Sequence, residues 1–153
     1  MSTDATRRPA PLWRRLAAMV YDSLLIFAIW IIVGFIVLSL FGLEEARTIE
    51  GDVVVLDPLV RYSLFTAMMG SAFLFFGWFW THSGQTLGMQ AWRIRVANTD
   101  GSALGWRQCA LRLVVAPVAL GLAGIGYWWA LFDREKRSWP DLASGSCLHM
   151  VRM

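Results

Sequence analysis

Charged residues are scarce in this sequence, and so are the residues that usually build catalytic or metal sites. Only 16% of its 153 residues are charged, and there are two histidines and two cysteines. The cysteines, Cys109 and Cys147, form no CxxC pair, which argues against a disulfide framework or a zinc site. No Ser/His/Asp, Cys/His or paired-acid arrangement stands out either. We therefore expect a protein that is not an enzyme and that holds neither a metal nor a cofactor.

The net charge is also small, at +3, and the arginines cluster beside apolar segments. Arginines in such positions set the orientation of membrane segments, so nucleic acid is not an expected partner. Apolar residues make up 57% of the chain, and several of its nine tryptophans stand at the ends of apolar runs. Tryptophan in those positions is typical of the headgroup level of a bilayer. This composition predicts a small integral membrane protein whose first partner is the lipid bilayer.

Two apolar runs are long enough to cross a membrane as helices. Ser23–Leu43 has no charged residue over 21 positions. At about 1.5 Å per residue, that length covers the roughly 30 Å of a hydrocarbon core. The first span, predicted over 16–43, includes Asp22 near its start. The second span is predicted over 59–81, with Arg61 at its entrance.

A third apolar stretch, 106–132, is interrupted by Pro117 and three glycines. It fits either a third span or a hairpin that enters the membrane, bends near Pro117 and returns. The N-terminal flank and the segment 82–112 have four arginines each, whereas 44–61 has two. Because cytoplasmic segments carry the excess of Lys and Arg, we expect a cytoplasmic N-terminus. A hairpin keeps the basic C-terminal tail on that side and is the preferred alternative.

Between the spans the sequence predicts a small cytoplasmic β element. Trp92–Val96 alternates apolar and polar residues, and the apolar run near Cys147–Val151 is a candidate partner strand. Val53–Leu56 is long enough for a strand, but we assign its surroundings mainly to a loop. The fold class is therefore mainly α: a polytopic membrane protein with two full spans, a broken hairpin or third span, and this β element. Residues 1–12 are predicted to form a tail, and 13–152 a single membrane domain.

Three motifs follow one another along the chain: RRLAAMVYD with Arg14, Arg15 and Asp22; GQTLG with Gly84, Gln85, Thr86 and Gly88; and FDREKRSWPDLASGS with Asp141. Together they resemble the RDD family of bacterial membrane proteins over roughly residues 12–152. The family is named for one arginine and two aspartates. The resemblance implies a multi-pass protein of the bacterial inner membrane, and transport of unidentified ligands is the activity proposed for the family.

The resemblance matches the family arginine to Arg15 or Arg14, and the two aspartates to Asp22 and Asp141. Pro140 stands where the family usually has a histidine, so a role that needs this histidine is not expected here. Under hairpin topology we predict that Arg15, Asp22 and Asp141 meet at the cytoplasmic face, as one arginine between two carboxylates. Such a cluster would fix the tail against the first helix, bind a cation or relay a proton.

The GQTLG motif lacks the lysine and the spacing of a phosphate loop. Its residues Gly84, Gln85, Thr86 and Gly88 are predicted to form a turn at the membrane surface. In one interpretation the motif ends a helix and Gln85 and Thr86 cap free backbone groups, and in the other it lines a polar pathway.

Two functions remain open. The first is transport of ions or small solutes, including cation/proton exchange, by a homo-oligomer or with another membrane protein, since so few spans can hardly enclose a pathway. The second is a structural or assembly role in another membrane complex.

Overall fold

Helices dominate the part of the chain that the computed structural model describes, which is residues 8–42, 46–50 and 53–151. The predicted tail before Arg8, the loop residues 43–45 and 51–52, and Arg152 lie outside these described residues. In chain order the elements are α1 (Leu12–Phe41), β1 (Arg47–Glu50), β2 (Val53–Leu56), α2 (Pro58–His82), α3 (Leu87–Ala91), β3 (Ile94–Asn98), α4 (Trp106–Gly121), α5 (Ile125–Trp128) with a 3-10 turn over Trp129–Leu131, α6 (Trp139–Ser144) and β4 (Ser146–Met150).

Two helices, α1 and α2, are long and apolar enough to span a membrane. Helix α1 has 30 residues and α2 has 25, and their most apolar windows have mean hydropathies of 3.0 and 1.4. The prediction of a mainly helical chain with two such helices is confirmed. Helix α1 starts earlier than predicted because the Pro11 carbonyl accepts hydrogen bonds from the N–H groups of Arg14 and Arg15. It ends before Gly42, whose φ of 80° is the left-handed conformation that stops a helix.

The chain divides into two compact units, residues 24–74 and residues 1–23 with 75–153. In the first unit, β1 and β2 form an antiparallel hairpin in which Arg47 pairs with Leu56 and Glu50 with Val53. Assigning the surroundings of Val53–Leu56 mainly to a loop was therefore wrong. The run of valines has the β-branched side chains that favour a strand, and the upstream segment supplies the pairing partner.

In the second unit, β3 and β4 form the predicted antiparallel pair, with Ile94 opposite Met150 and Asn98 opposite Ser146. The pairing is confirmed, although β3 begins two residues later than predicted because Trp92 still caps α3. The first described residues extend this sheet: the Ala10 N–H donates to the Leu148 carbonyl, and the Met150 N–H donates to the Arg8 carbonyl. Residues 8–10, assigned to the tail from sequence, thus lie along β4.

The apolar stretch after β3 forms two helices, α4 and α5, whose axes are bent by 107°. The bend is not at Pro117, as predicted, because Pro117 lies inside the continuous helix α4. It falls at residues 122–124, where Ala123 and Gly124 have φ angles of 52° and 74°. A proline removes one backbone donor from a helix, whereas two successive left-handed residues reverse the chain direction.

Candidate functional site

Asp22 is held by neutral hydrogen-bond donors. It lies in the third turn of α1 and is 5% exposed. Its Oδ1 accepts a hydrogen bond of 2.9 Å from the Gly88 N–H, and its Oδ2 accepts one from the Thr86 hydroxyl. Within the described residues no lysine, arginine or histidine is hydrogen-bonded or ion-paired to this carboxylate. Burial and direct hydrogen bonding fix its position without a counter-charge.

The GQTLG motif forms the turn that places the Thr86 hydroxyl and the Gly88 N–H next to Asp22. Gly84 has a φ of 69°, and its N–H bonds to the Phe79 carbonyl at the end of α2. A side chain at Gly84 would also collide with the backbone oxygen of Val96. Glycine is therefore required at the point where the chain leaves α2 and passes beside β3.

Thr86 and Gln85 bind backbone groups, but not at the end of α2. Thr86 is the N-cap of α3, where its Oγ1 accepts from the Met89 N–H at 3.2 Å while donating to Asp22. The Gln85 side chain donates to the Ile94 carbonyl at 2.8 Å. Both side chains therefore bind backbone groups, as predicted, and these groups belong to α3 and β3. A capping hydroxyl commonly starts a helix, and here the helix is α3.

Gly88 allows α3 to approach α1 closely. A Cβ at this position would lie 2.9 Å from both the Asp22 carboxyl carbon and Oδ1, and closer still to the Ala18 carbonyl oxygen. Real Cβ atoms essentially never show contacts of that length. The absent side chain is what lets the Gly88 N–H reach Asp22.

Asp141 is bound by two arginines and by Ser138. It is fully buried, at 0% exposed. Its Oδ1 accepts from Arg112 Nη1 at 2.7 Å, and its Oδ2 accepts from Arg15 Nη1 at 2.8 Å. The Ser138 N–H and hydroxyl also donate to Oδ2, at 3.0 and 2.8 Å. Ser138 is the N-cap of α6, and Asp141 is the third residue of that helix.

The surroundings of Asp141 favour its ionised form. Burial alone would raise the pKa of this carboxyl group, but Arg112 and Arg15, with the hydrogen bonds from Ser138, hold its pKa below the ordinary value. Asp141 is therefore a permanent anion at neutral pH.

Each nitrogen of the Arg15 guanidinium group donates a hydrogen bond inside the fold. Its Nε donates to the Ala10 carbonyl at 3.0 Å, and its Nη2 donates to the Lys136 carbonyl at 2.8 Å, besides the bond to Asp141. Arg14 instead donates to the Trp92 carbonyl. Of the two arginines that the sequence left open, Arg15 is the one that meets Asp141.

The structure thus brings Arg15 and Asp141 together, but it does not add Asp22 to them. In the described part of the chain, Asp22 and Arg15 share no hydrogen bond or ion pair. The arrangement is one carboxylate between two arginines, and a second carboxylate held separately.

Sequence reasoning missed Arg112 as a partner of Asp141. The sequence around a single arginine in an apolar helix does not indicate which residue it will pair with. Ser138 had a readable signal, since Ser-x-x-Asp ahead of a helix is the pattern of a capping box.

No cluster of three or more His, Cys, Asp or Glu that could hold a metal ion occurs among the described residues. What the arrangement offers is a fixed ion-pair cluster and one buried carboxylate with hydroxyl and amide donors.

Comparison with known proteins gives one match. Searches of curated proteins and of solved structures each return nothing that matches the chain. The model of the RDD family matches residues 9–145, which include Arg15, Asp22, the GQTLG motif and Asp141. A match over that share of the sequence identifies the family, and this chain belongs to the RDD family.

Proposed function

We propose that this RDD-family membrane protein takes part in the transport of ions or small solutes, with cation/proton exchange at Asp22 as its chemistry. The observation that carries the proposal is that the donors bonded to the buried Asp22 carboxylate, the Thr86 hydroxyl and the Gly88 N–H, are neutral. A carboxylate held in this way gains or loses a proton, or exchanges it for a cation, without breaking an ion pair. Ionisable groups inside membrane segments are costly and mark ion pathways.

Asp141 and Arg15 have a different role in this proposal. A relay through Asp141 would have to break its bonds to two guanidinium groups and to Ser138. Separating one partner from a buried pair leaves an uncompensated charge, which is strongly destabilising. We therefore assign Arg15 and Asp141 to holding α6 against the start of α1, and the exchange chemistry to Asp22.

The proposed working form is a homo-oligomer or a complex with another membrane protein. Only 11% of the most apolar window of α1, and the same share of that of α2, is buried inside the chain. Most of their apolar surface is therefore open to lipid or to other helices. Because two spanning helices cannot surround a pathway, neighbouring subunits have to supply the remaining walls.

For the bent pair α4–α5 we propose a re-entrant hairpin rather than a third span. The strands β3 and β4 flank this pair in sequence and are hydrogen-bonded to each other, which supports placing both on one side of the membrane. Arg8 and Ala10 bond to β4 as well. The excess of arginine around these segments makes that side cytoplasmic, so the proposed location is the bacterial inner membrane with the N-terminus inside.

The test is flux of Na⁺, K⁺ and H⁺ in proteoliposomes that contain the full chain. We expect Asp22→Asn to abolish the flux, because the amide cannot exchange a proton at this position. The matched control is Glu135→Gln, which removes a carboxylate charge from an exposed side chain. Absence of flux with well-folded protein, or equal flux in wild type and Asp22→Asn, contradicts the proposal.

One observation favours the second function, assembly of another membrane complex. Large aromatic side chains are exposed near the ends of the apolar helices: Trp13, Tyr21, Trp78, Trp106, Trp128 and Phe132. Such a surface suits contact with a partner as well as with lipid. A partner that co-purifies in stoichiometric amount, together with absent flux, would favour this role.

A further inference from the structure

Only one nitrogen of the Arg112 guanidinium group, Nη1, donates hydrogen bonds to the described residues. The Arg112 side chain lies in α4 and is 7% exposed. The hydrogen bonds it makes all leave from Nη1, to Asp141 Oδ1, Ser144 Oγ and Ser146 Oγ. Nε is buried without a partner among the described residues, and Nη2 makes no hydrogen bond to any of them either. The Nε–Nη2 edge is the pair of parallel donors that binds a carboxylate or phosphate group in bidentate fashion.

A second donor without an acceptor lies beside it. The Arg112 guanidinium carbon is 5.2 Å from the centre of the Trp80 ring. Trp80 is 7% exposed, and in the described part of the chain its indole N–H also lacks a partner. Because indole N–H and guanidinium groups only donate, both side chains need an acceptor from elsewhere.

The net charge of the buried groups also favours a bound anion. Arg15 and Arg112 bring two positive charges to the cluster and Asp141 brings one negative charge, so these three buried groups have a net charge of +1. An unbalanced buried charge is costly unless an opposite charge accompanies it. An anion at the free edge of Arg112 would balance the cluster.

The position along the chain suggests which anion. Trp80 lies two residues before the end of α2, a helix of membrane-spanning length. The end of such a helix lies at the level of the lipid headgroups, where basic pockets bind anionic headgroups. We propose that the Nε–Nη2 edge of Arg112 and the indole N–H of Trp80 form a binding site for a phosphate-class oxyanion. The source is either a phospholipid headgroup or free phosphate, and the site does not depend on the transport function proposed above.

The experiment measures the thermal unfolding midpoint of the purified, delipidated full chain in a nonionic detergent. The additions are short-chain phosphatidylglycerol, the matching diacylglycerol without phosphate, and inorganic phosphate, each at the same ionic strength. A ligand that binds only the folded state raises the midpoint in a concentration-dependent manner. We expect phosphatidylglycerol or inorganic phosphate to raise it and diacylglycerol to have no effect, and the active addition identifies the source.

Two substitutions test the site itself. Trp80→Phe keeps an aromatic ring under Arg112 but removes the N–H, so we expect the dissociation constant of the active addition to rise about 10-fold to 100-fold. Trp92→Phe is the matched control. Trp92 also has a buried indole N–H without a partner in the described residues, but it packs edge-on against Trp13, with ring centres 5.4 Å apart. Its substitution is expected to leave the affinity unchanged.

Arg112→Lys adds a further check, since lysine keeps the charge but loses the bidentate edge. We expect this variant to lose the stabilisation by phosphate. If this variant does not fold, the comparison of Trp80→Phe with Trp92→Phe still tests whether the site binds phosphate. The proposal is overturned if no phosphate compound shifts the midpoint, which would leave water as the acceptor. Equal affinities in the two tryptophan variants, or an equal shift with diacylglycerol, would overturn it as well.

Discussion

At the scale of single residues, Asp22 and Asp141 are both buried carboxylates, but their donors differ in charge. Asp141 is bonded to two guanidinium groups, whereas Asp22 is bonded to a hydroxyl and an amide. An ion pair fixes the charge of a carboxylate, and neutral donors position it without fixing its charge. This difference is why the two aspartates are assigned different roles.

Replacing Asp141 with asparagine should lower the stability of the fold by about 3–5 kcal/mol, because it leaves Arg15 and Arg112 buried without a counter-charge. The measurement is the unfolding midpoint in denaturant, in a nonionic detergent. Glu135→Gln, at an exposed surface pair, is the control and should change stability by less than about 1 kcal/mol. Equal midpoints for the two variants would show that the Asp141 cluster does not hold the fold.

The Asp141 pKa also predicts a pH dependence. Because the folded-state pKa lies below the ordinary value, the stabilisation is fully present above the unfolded-state pKa of about 3.9. It is lost as the pH falls through the folded-state value. The difference in stability between wild type and Asp141→Asn should thus be constant from about pH 7 to pH 5 and shrink below about pH 4. A difference that already shrinks near neutral pH contradicts this assignment.

Gly88→Ala should disturb the Asp22 site, because the added methyl group overlaps the Asp22 carboxylate and the Ala18 carbonyl. We expect a loss of about 1–3 kcal/mol in the free energy of unfolding, the usual cost of overpacking. Gly70→Ala is the control, since a Cβ there meets nothing within 4 Å. It should be neutral or stabilising, because alanine is favoured over glycine in a helix. If both substitutions behave alike in thermal unfolding, α3 does not pack on α1 as described.

The sequence analysis grouped Arg15 with Asp141, which the structure brings together. It also grouped Asp22 with them, which the structure does not, and it did not include Arg112. Arg15 and Asp141 both lie in motifs that carry the family resemblance, and their opposite charges favour pairing. Arg112 lies in an apolar stretch, and the sequence around it does not identify its partner. Only the folding of α4 against α6 shows that its side chain turns inward.

At the scale of elements, the pairing of β3 with β4 followed from alternation of apolar and polar residues, and it was predictable. The bend after α4 was not. The stretch contains one proline and several glycines, each able to interrupt a helix. Composition does not say which residues adopt a positive φ, and that depends on packing, as when Gly126 lies against Ala119.

This location of the bend can be tested with two substitutions. Gly124→Ala places a side chain at a φ of 74° and should destabilise the protein by about 1–2 kcal/mol. Pro117→Ala restores a backbone donor within the continuous helix α4 and should not lower stability. Thermal unfolding of both variants checks this. A large loss for Pro117→Ala with none for Gly124→Ala would place the bend at the proline.

At the scale of the whole molecule, the proposed re-entrant hairpin predicts which segments share a side of the membrane. In a chain whose two cysteines are replaced by serine, single cysteines at Ser102 and Glu135 should react with an impermeant thiol reagent from the same side. A cysteine at Leu59, at the start of α2 and 64% exposed, should react from the opposite side. Labelling of the Ser102 and Glu135 positions from opposite sides would instead establish a third span.

The contact between Arg15 and Asp141 has a consequence for biosynthesis, because its partners are 126 residues apart in sequence. The ribosome completes α1 long before it reaches Asp141, and β4, which bonds to Arg8 and Ala10, is made later still. During membrane insertion Arg15 therefore lacks its Asp141 partner. The ion pair forms only when the last part of the chain emerges, so truncation before α6 should yield an inserted protein in which Arg15 has no carboxylate partner at Asp141.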